Sequence, residues 1–188
     1  MNPTLNTLNY IEAPLDYDGT QLSSHWIYRR FKLLGNSIVA FQGAADVKIE
    51  KMVDLEDVGN NAPIYSPKML HFLAELFIDS FQEGILWQYL FIAQIYQELT
   101  EARVQELQKR GNDLYFKNRK LSVSICTKTT TSCLIHIGLN IESEGTPIPT
   151  SCLGEMGIDP KALAERLLEN FRLEQNRIAR NRFKTMGR

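Results

Sequence analysis

Cysteine is scarce in this chain. Its three residues, Cys126, Cys133 and Cys152, form neither a Cys-x-x-Cys pair nor an even set. That usage excludes a disulfide framework and fits reduced thiols in a cytoplasmic protein. No cysteine or histidine spacing suits zinc. Charge of one sign is also missing: the formal net charge is -1, so bulk electrostatics draws the chain neither to nucleic acid nor to an acidic membrane surface. The longest apolar stretch, "ILWQYLFIAQIY", is broken by Gln88 and Gln94 and falls short of the roughly 20 residues a bilayer span needs. The opening "MNPTLNTLNYIEAPLDYDG" lacks a basic start before an apolar core, unlike a secretory leader. Repeats and low-complexity segments are absent. What remains is an ordinary globular balance over 188 residues, 44% hydrophobic and 23% charged, expected to form one domain over residues 1–188.

After a loose N-terminus, "LSSHWIYRRFKLL" reads as a helix, "NSIVAFQG" as a strand ending at Gly43, and "DVKIEKMVD" as a second extended run. Ser66-Pro67 looks like a helix start, with Leu70, Leu73, Phe77 and Phe81 at helical spacing. A second stripe follows Gly84 through Ile85, Tyr89, Ile92, Tyr96 and Leu99, so two packed helices are expected in the middle of the chain. Three extended segments come next, "DLYF", "KLSVSICT" and "CLIHIGLNI", joined by the short connections "KNR" and "KTTT" as a three-stranded meander. A last helix starts at Asp159-Pro160, carries Leu163, Leu167 and Phe171 on one face, and ends in "RIARNRFKTMGR". Strands and helices grouped in this way argue for an α+β fold, a mixed and mostly antiparallel sheet flanked by helices.

Alternation within the strands predicts two rows of polar residues. Lys120, Ser122, Ser124 and Cys126 share one side of their strand, and His136, Gly138 and Asn140 share one side of the next. If the hairpin closes about Thr130, Ser122 faces Gly138 and Ser124 faces His136, so both rows meet on one surface. Gly138, without a side chain, would let a ligand approach the backbone there. The plain alternative is a solvent-facing sheet surface.

The run "KRGNDLYFKNRKLSVSI", followed by "CLIHIGLNI" and "PTSCLGEMGID", resembles the second half of the catalytic domain of biotin protein ligases and lipoate ligases, a fold of the class II synthetase type. Asn112 and Asp113 match that family's Asn-Asp pair, Lys120 its strand lysine, Gly138 and Asn140 its Gly-x-Asn, and Thr150 and Ser151 its Thr-Ser. In "FQGAADVKIEKMVDLED", Gln42 and Gly43 stand where the family has its phosphate loop, but the repeated arginines and glycines are absent. The whole chain is also similar to an uncharacterised, largely archaeal family of unknown function, through "MLHFLAELF", "GNDL" and "KLSVSI".

The resemblance implies a ligase or acyltransferase that activates or transfers a small carboxylic acid, with ATP and Mg²⁺ as candidate cofactors. Such chemistry builds negative charge on oxygen and needs a fixed cation, the role implied for Lys120. Gln42, Gly43, Asn112, Asp113, Ser122, Ser124, His136, Gly138 and Asn140 would shape the substrate pocket. The missing loop favours the alternative, a non-catalytic module of the same fold that binds a small molecule or nucleotide. Asp46, Asp54, Glu56 and Asp57 form an acidic group for Mg²⁺, or simply a solvated loop. His71, expected on a helix beside Glu75, reads as structural, whereas His136 is the better acid or base. Arg172, Arg177, Arg180, Arg182, Lys184 and Arg188 form a basic tail that suits a helix C-terminus, with RNA contact the sharper reading. A small carboxylate or nucleotide is the expected partner, and an edge strand leaves a homodimer open.

Overall fold

In a computed structural model of the chain, residues 5–7 and 10–187 are described. The elements are β1 (Asn6–Thr7), α1 (Trp26–Phe31), β2 (Ser37–Val47), α2 (Leu55–Gly59), β3 (Ile64–Leu76), α3 (Phe81–Glu101), β4 (Leu107–Arg110), β5 (Asp113–Phe116), β6 (Arg119–Lys120), β7 (Ser122–Lys128), β8 (Cys133–Asn140) and α4 (Pro160–Lys184). Among the described residues the strands form a five-stranded sheet in the order β1-β2-β3-β8-β7 and a three-stranded sheet in the order β4-β5-β6. β1 runs parallel to β2, and the other pairings are antiparallel. This is the expected α+β class.

The large sheet is buried on both faces, which explains its sequence. On one face Ile38, Ala40, Leu70, Phe72, Ile135, Ile137 and Leu139 pack against Phe91, Ile92 and Ile95 of α3 and Leu163, Leu167 and Phe171 of α4. On the other, Val39, Phe41 and Leu73 pack with Tyr17, Ile27 and Val47. Each long helix starts at a side-chain cap: Ser80 Oγ accepts from the Glu83 amide at 3.2 Å, and Asp159 Oδ1 from the Ala162 amide at 2.7 Å. Pro160 occupies the first turn of α4.

The segment expected to open a helix at Ser66-Pro67 is instead β3, the central strand. A strand covered on both faces reads as a nearly continuous apolar run, and the helical spacing of Leu70 and Leu73 within it, continued by Phe77 just past its end, is coincidental. Leu70 and Phe72 alternate with His71 and Leu73 toward opposite faces. Pro67 falls in a break of the β2–β3 register between Gly43 and Ala45, where its missing N–H costs no ladder bond. The second extended run, "DVKIEKMVD", also differs. Its first residues finish β2, and Ile49–Lys51 turn as a 3₁₀ helix.

The expected meander is split between two sheets. β5 pairs with β4 and β6, turning into β6 through Lys117 and Asn118 with φ of 50° and 59°, the paired left-handed geometry of a tight hairpin. Only β7 and β8 join the large sheet, with Ser122 opposite Leu139, Val123 opposite Gly138 and Ile125 opposite His136. The hairpin therefore closes one residue away from Thr130-centred symmetry. Because side chains alternate with a period of two, that slip sends Ser122, Ser124 and Cys126 to the helix-covered face and leaves Val123 and Ile125 beside Gly138 and His136. The two polar rows do not meet.

Residues 11–17 form a strap along β2. Ile11, Leu15 and Tyr17 donate their amides to the carbonyls of Ala40, Gln42 and Ala44 at 2.9, 2.9 and 2.8 Å. Gly43 sits where the strap is tightest: a Cβ there would lie 2.1 Å from the Leu15 carbonyl oxygen. Gly43→Ala is therefore expected to lower stability by about 3 kcal/mol in chemical denaturation. Wild-type stability in that variant would show that the strap does not bear on Gly43.

Candidate functional site

On the strap side of the large sheet a cleft opens as two adjoining cavities. The first, about 270 Å³, is polar and includes Tyr17, Lys51, Asp54, Glu56, Asp57, Asn112, Asp113, Lys120, Ser124 and His136. The second, about 250 Å³, includes Ala62, Pro63, Ile64, Tyr65, Met69, Pro147, Ile148, Ser122 and Asn140. Asp57, Ile64, Lys120 and Val123 belong to both. Lys120 thus stands at the junction. A larger hollow of about 400 Å³, between the start of α3 and the second half of α4, shares no residue with either cavity.

Local backbone geometry brings Lys120 there. Leu121 lies outside the strand ladders, its amide bonded to the Leu114 carbonyl at 2.8 Å and its carbonyl to the Asn140 amide at 3.0 Å. This single residue joins the two sheets and breaks the alternation, so Lys120 and Val123 both line the cleft. The Lys120 carbonyl accepts from the Ser151 amide at 2.9 Å, while Asn140 Nδ2 donates to the Ser151 carbonyl at 3.2 Å. Asn140 and Ser151 hold the backbone beneath the lysine.

The electrostatics around Lys120 are acidic. Its Nζ lies 3.1 Å from Asp113 Oδ2, with both side chains partly exposed. Burial raises the Asp113 carboxyl above its usual range even though Lys120 opposes the shift. Asp57 is raised as well, first by burial and then by the neighbouring Asp54. Asp54 caps α2, accepting from the Glu56 amide at 2.9 Å. The other lysine of the polar cavity, Lys51, is paired with Asp18 at 2.7 Å. Among the described residues no arginine lines either cavity.

Of the residues singled out by sequence, Asn112, Asp113, Lys120, Ser124 and His136 line the polar cavity, and Lys120, Ser122 and Asn140 the less polar one. Several of these are tied up by the protein itself. Ser124 Oγ donates to the Asn112 carbonyl and accepts from Gln88 Nε2, both at 2.8 Å, and Asn112 Nδ2 donates back to the Ser124 carbonyl at 3.3 Å. Ser122 Oγ accepts from the Leu114 amide at 2.8 Å. These groups clamp the small sheet to β7. Gly138 offers no open backbone, because a Cβ there would meet Met69 Cε at 2.7 Å. Gln42 faces the helix side opposite Leu70, and Gly43 is covered by the strap, so neither lines the cleft.

Asp46 pairs with Lys48 at the surface, apart from Asp54, Glu56 and Asp57, and no group of three or more metal-ligating side chains converges among the described residues. His71 is on β3, fully buried, and hydrogen-bonded to His136. Arg172 and Arg177 of the tail pair with Glu169 and Glu174 on their own helix, and Arg188 lies outside the described residues. Sequence reasoning missed Tyr17, which lies in the strap with no periodic pattern around it.

The family described as Domain of unknown function (DUF366) matches residues 7–186. The chain belongs to the DUF366 family. Among its relatives, Uncharacterized protein MJ0805 of Methanocaldococcus jannaschii is 31% identical over 183 residues, 94% of this chain and 83% of that one. A protein of unknown function from Pyrococcus horikoshi is 35% identical, with a TM-score of 0.92 over 98% of this chain and 100% of its own. Protein Ta0514 of T. acidophilum, a candidate lipoate protein ligase, shares 11% identity at a TM-score of 0.60, covering 93% and 85% of the two chains. A mutant biotin protein ligase from Aquifex aeolicus in complex with biotin shares 17% at 0.55, covering 93% and 72%. The DUF366 chain therefore has the fold of biotin/lipoate ligase catalytic domains. No helix among its described residues is long and apolar enough to cross a membrane.

The raised carboxyl of Asp57 has a measurable sign. A carboxyl whose folded pKa exceeds its unfolded value binds protons more tightly when folded, so it costs stability as pH rises above the unfolded value. The stability of Asp57→Asn relative to wild type is expected to grow as pH rises from 3.8 through the raised folded pKa, then level off. Thermal unfolding across that range reads this directly, and a difference that shrinks with pH would contradict the assigned environment.

Proposed function

We propose that the DUF366 cleft binds a small carboxylic acid and activates or transfers its acyl group, with Lys120 as the fixed cation that meets the carboxylate. The observation that carries this reading is the position of Lys120 at the meeting point of a polar cavity and one walled by Ala62, Pro63, Met69, Val123 and Ile148. The less polar cavity suits an acyl chain, and the polar one suits the second reactant. Acyl activation and transfer both build charge on oxygen. An ammonium already held in place stabilises that charge without reorganising during the reaction. The pair with Asp113 is partly exposed, and such pairs contribute only about 0–1 kcal/mol, so an incoming carboxylate can take the place of Asp113 at little cost. The neighbours fit this class of ligand: one Aquifex aeolicus biotin protein ligase was solved with biotin and ATP, and Ta0514 with lipoic acid.

ATP would have to enter differently from a ligand met by a basic loop. Both cavity lysines are ion-paired and no arginine among the described residues lines the cleft, so its phosphates would need to arrive with Mg²⁺, for which Asp54 and Asp57 line the same cavity as Lys120. The same lack of arginines supports the second reading, a binding module without catalysis.

Pyrophosphate exchange into ATP, run over biotin, lipoate and medium-chain fatty acids, separates the two. The ligase reading predicts exchange dependent on one acid and reduced at least about 100-fold in Lys120→Ala, with the variant's fold intact. Undiminished exchange in Lys120→Ala removes the lysine from the chemistry. Silence across the panel from folded protein favours the binding module.

A further inference from the structure

Behind Lys120, the inner part of the polar cavity is built from two stacked rings. Tyr17 and His136 lie 3.8 Å apart between centroids with planes 8° from parallel, and each is 3% exposed. Behind them His71 is fully buried, its Nδ1 3.1 Å from His136 Nε2 and its Nε2 3.2 Å from the Gly43 carbonyl.

The hydrogen bonds fix where the protons are. A carbonyl only accepts, so His71 Nε2 carries the hydrogen it donates to Gly43. Burial holds the His71 pKa down to about 4, so at neutral pH the ring is uncharged and its Nδ1 is a lone pair. His136 Nε2 must then be the donor of the pair. His136 is itself kept neutral, first by burial and then by His71, so its Nδ1 is an acceptor. Beside it the Tyr17 phenol keeps its proton, since burial raises its pKa. Neither His136 Nδ1 nor Tyr17 Oη has a hydrogen-bond partner among the described residues. Neither is sealed from the cavity, because among the described residues Gln94 Oε1 is the buried side-chain atom left unpartnered.

We infer that Tyr17 and His136 form a ligand subsite for an uncharged group that donates one hydrogen bond and accepts another, a hydroxyl or a carboxamide, with His71 as the positioning residue that fixes the His136 tautomer. A carboxylate would offer nothing to the lone pair of His136, and an ammonium would leave the Tyr17 O–H without an acceptor. The subsite rests on the cleft binding a small molecule but on no chemistry at Lys120.

The test is ¹⁵N NMR of histidine-labelled full-length protein, without ATP or acid, so that a silent exchange assay does not bear on it. Both His71 and His136 are expected as neutral Nε2–H tautomers at neutral pH. Acetamide, which both donates and accepts, is expected to shift the His136 Nδ1 resonance, whereas N,N-dimethylacetamide, which only accepts, binds roughly tenfold more weakly. Tyr17→Phe keeps the stacked ring and loses only the hydroxyl. In His136→Phe a stacked ring remains while the acceptor in the cavity is lost, together with the bond to His71. Each is expected to weaken acetamide roughly tenfold in a folded protein, followed by amide chemical shifts. An Nδ1–H or doubly protonated His136, an equal response to the two amides, no response to acetamide, or unchanged affinity in both variants would each overturn the assignment.

Discussion

Hydrogen bonding of β8 to both β3 and β7 decides what the cleft contains. The β3 register sets His71 opposite Gly138 and Met69 opposite Asn140, and the β7 register sets Val123 opposite Gly138 and Ile125 opposite His136. Together they place two histidines side by side on the strap face, where Tyr17 covers them, and let Met69 fill the space above Gly138. A shift of one residue in the β3–β8 ladder would turn His136 into the helix-packed core and Ile137 out of it, and a shift in the β7–β8 ladder would turn Val123 and Ile125 inward instead. The cleft depends on that register, and the register is held because the opposite face is filled by α3 and α4.

Lys120 is positioned by backbone rather than by its strand's alternation. Leu121 leaves the ladder to join the two sheets, and Asn140 and Ser151 tie the lysine's own peptide in place. Its charge meets Asp113 at the cleft surface, with Asp54 and Asp57 on the same wall. Under the proposed function a single carboxylate would meet one junction lysine on this acidic wall, whereas a bare polyphosphate would need several cations or its own metal.

The fold class was legible because strands and helices are grouped along the chain, and α4 was legible to the residue through its Asp159-Pro160 start. β3 was not, since burial on both faces erases the alternation that marks a strand. The site was legible in part. Asp113 and Lys120 were named as candidates through the family resemblance, but the direction of the Ser122 and Ser124 side chains could not be read, because a hairpin's register depends on its turn and "KTTT" does not specify one. Gly43 and Gly138 were noticed as glycines and misjudged in purpose: each makes room for protein, the strap in one case and Met69 in the other. Tyr17 carried no pattern at all, and only tertiary packing brings it onto His136.

The most direct measurement is a crystal structure with octanoate bound. The account predicts its carboxylate at Lys120 Nζ, in place of Asp113, with the chain in the cavity between Met69 and Ile148. A chain lodged in the polar cavity, or a carboxylate bound away from Lys120, would contradict it.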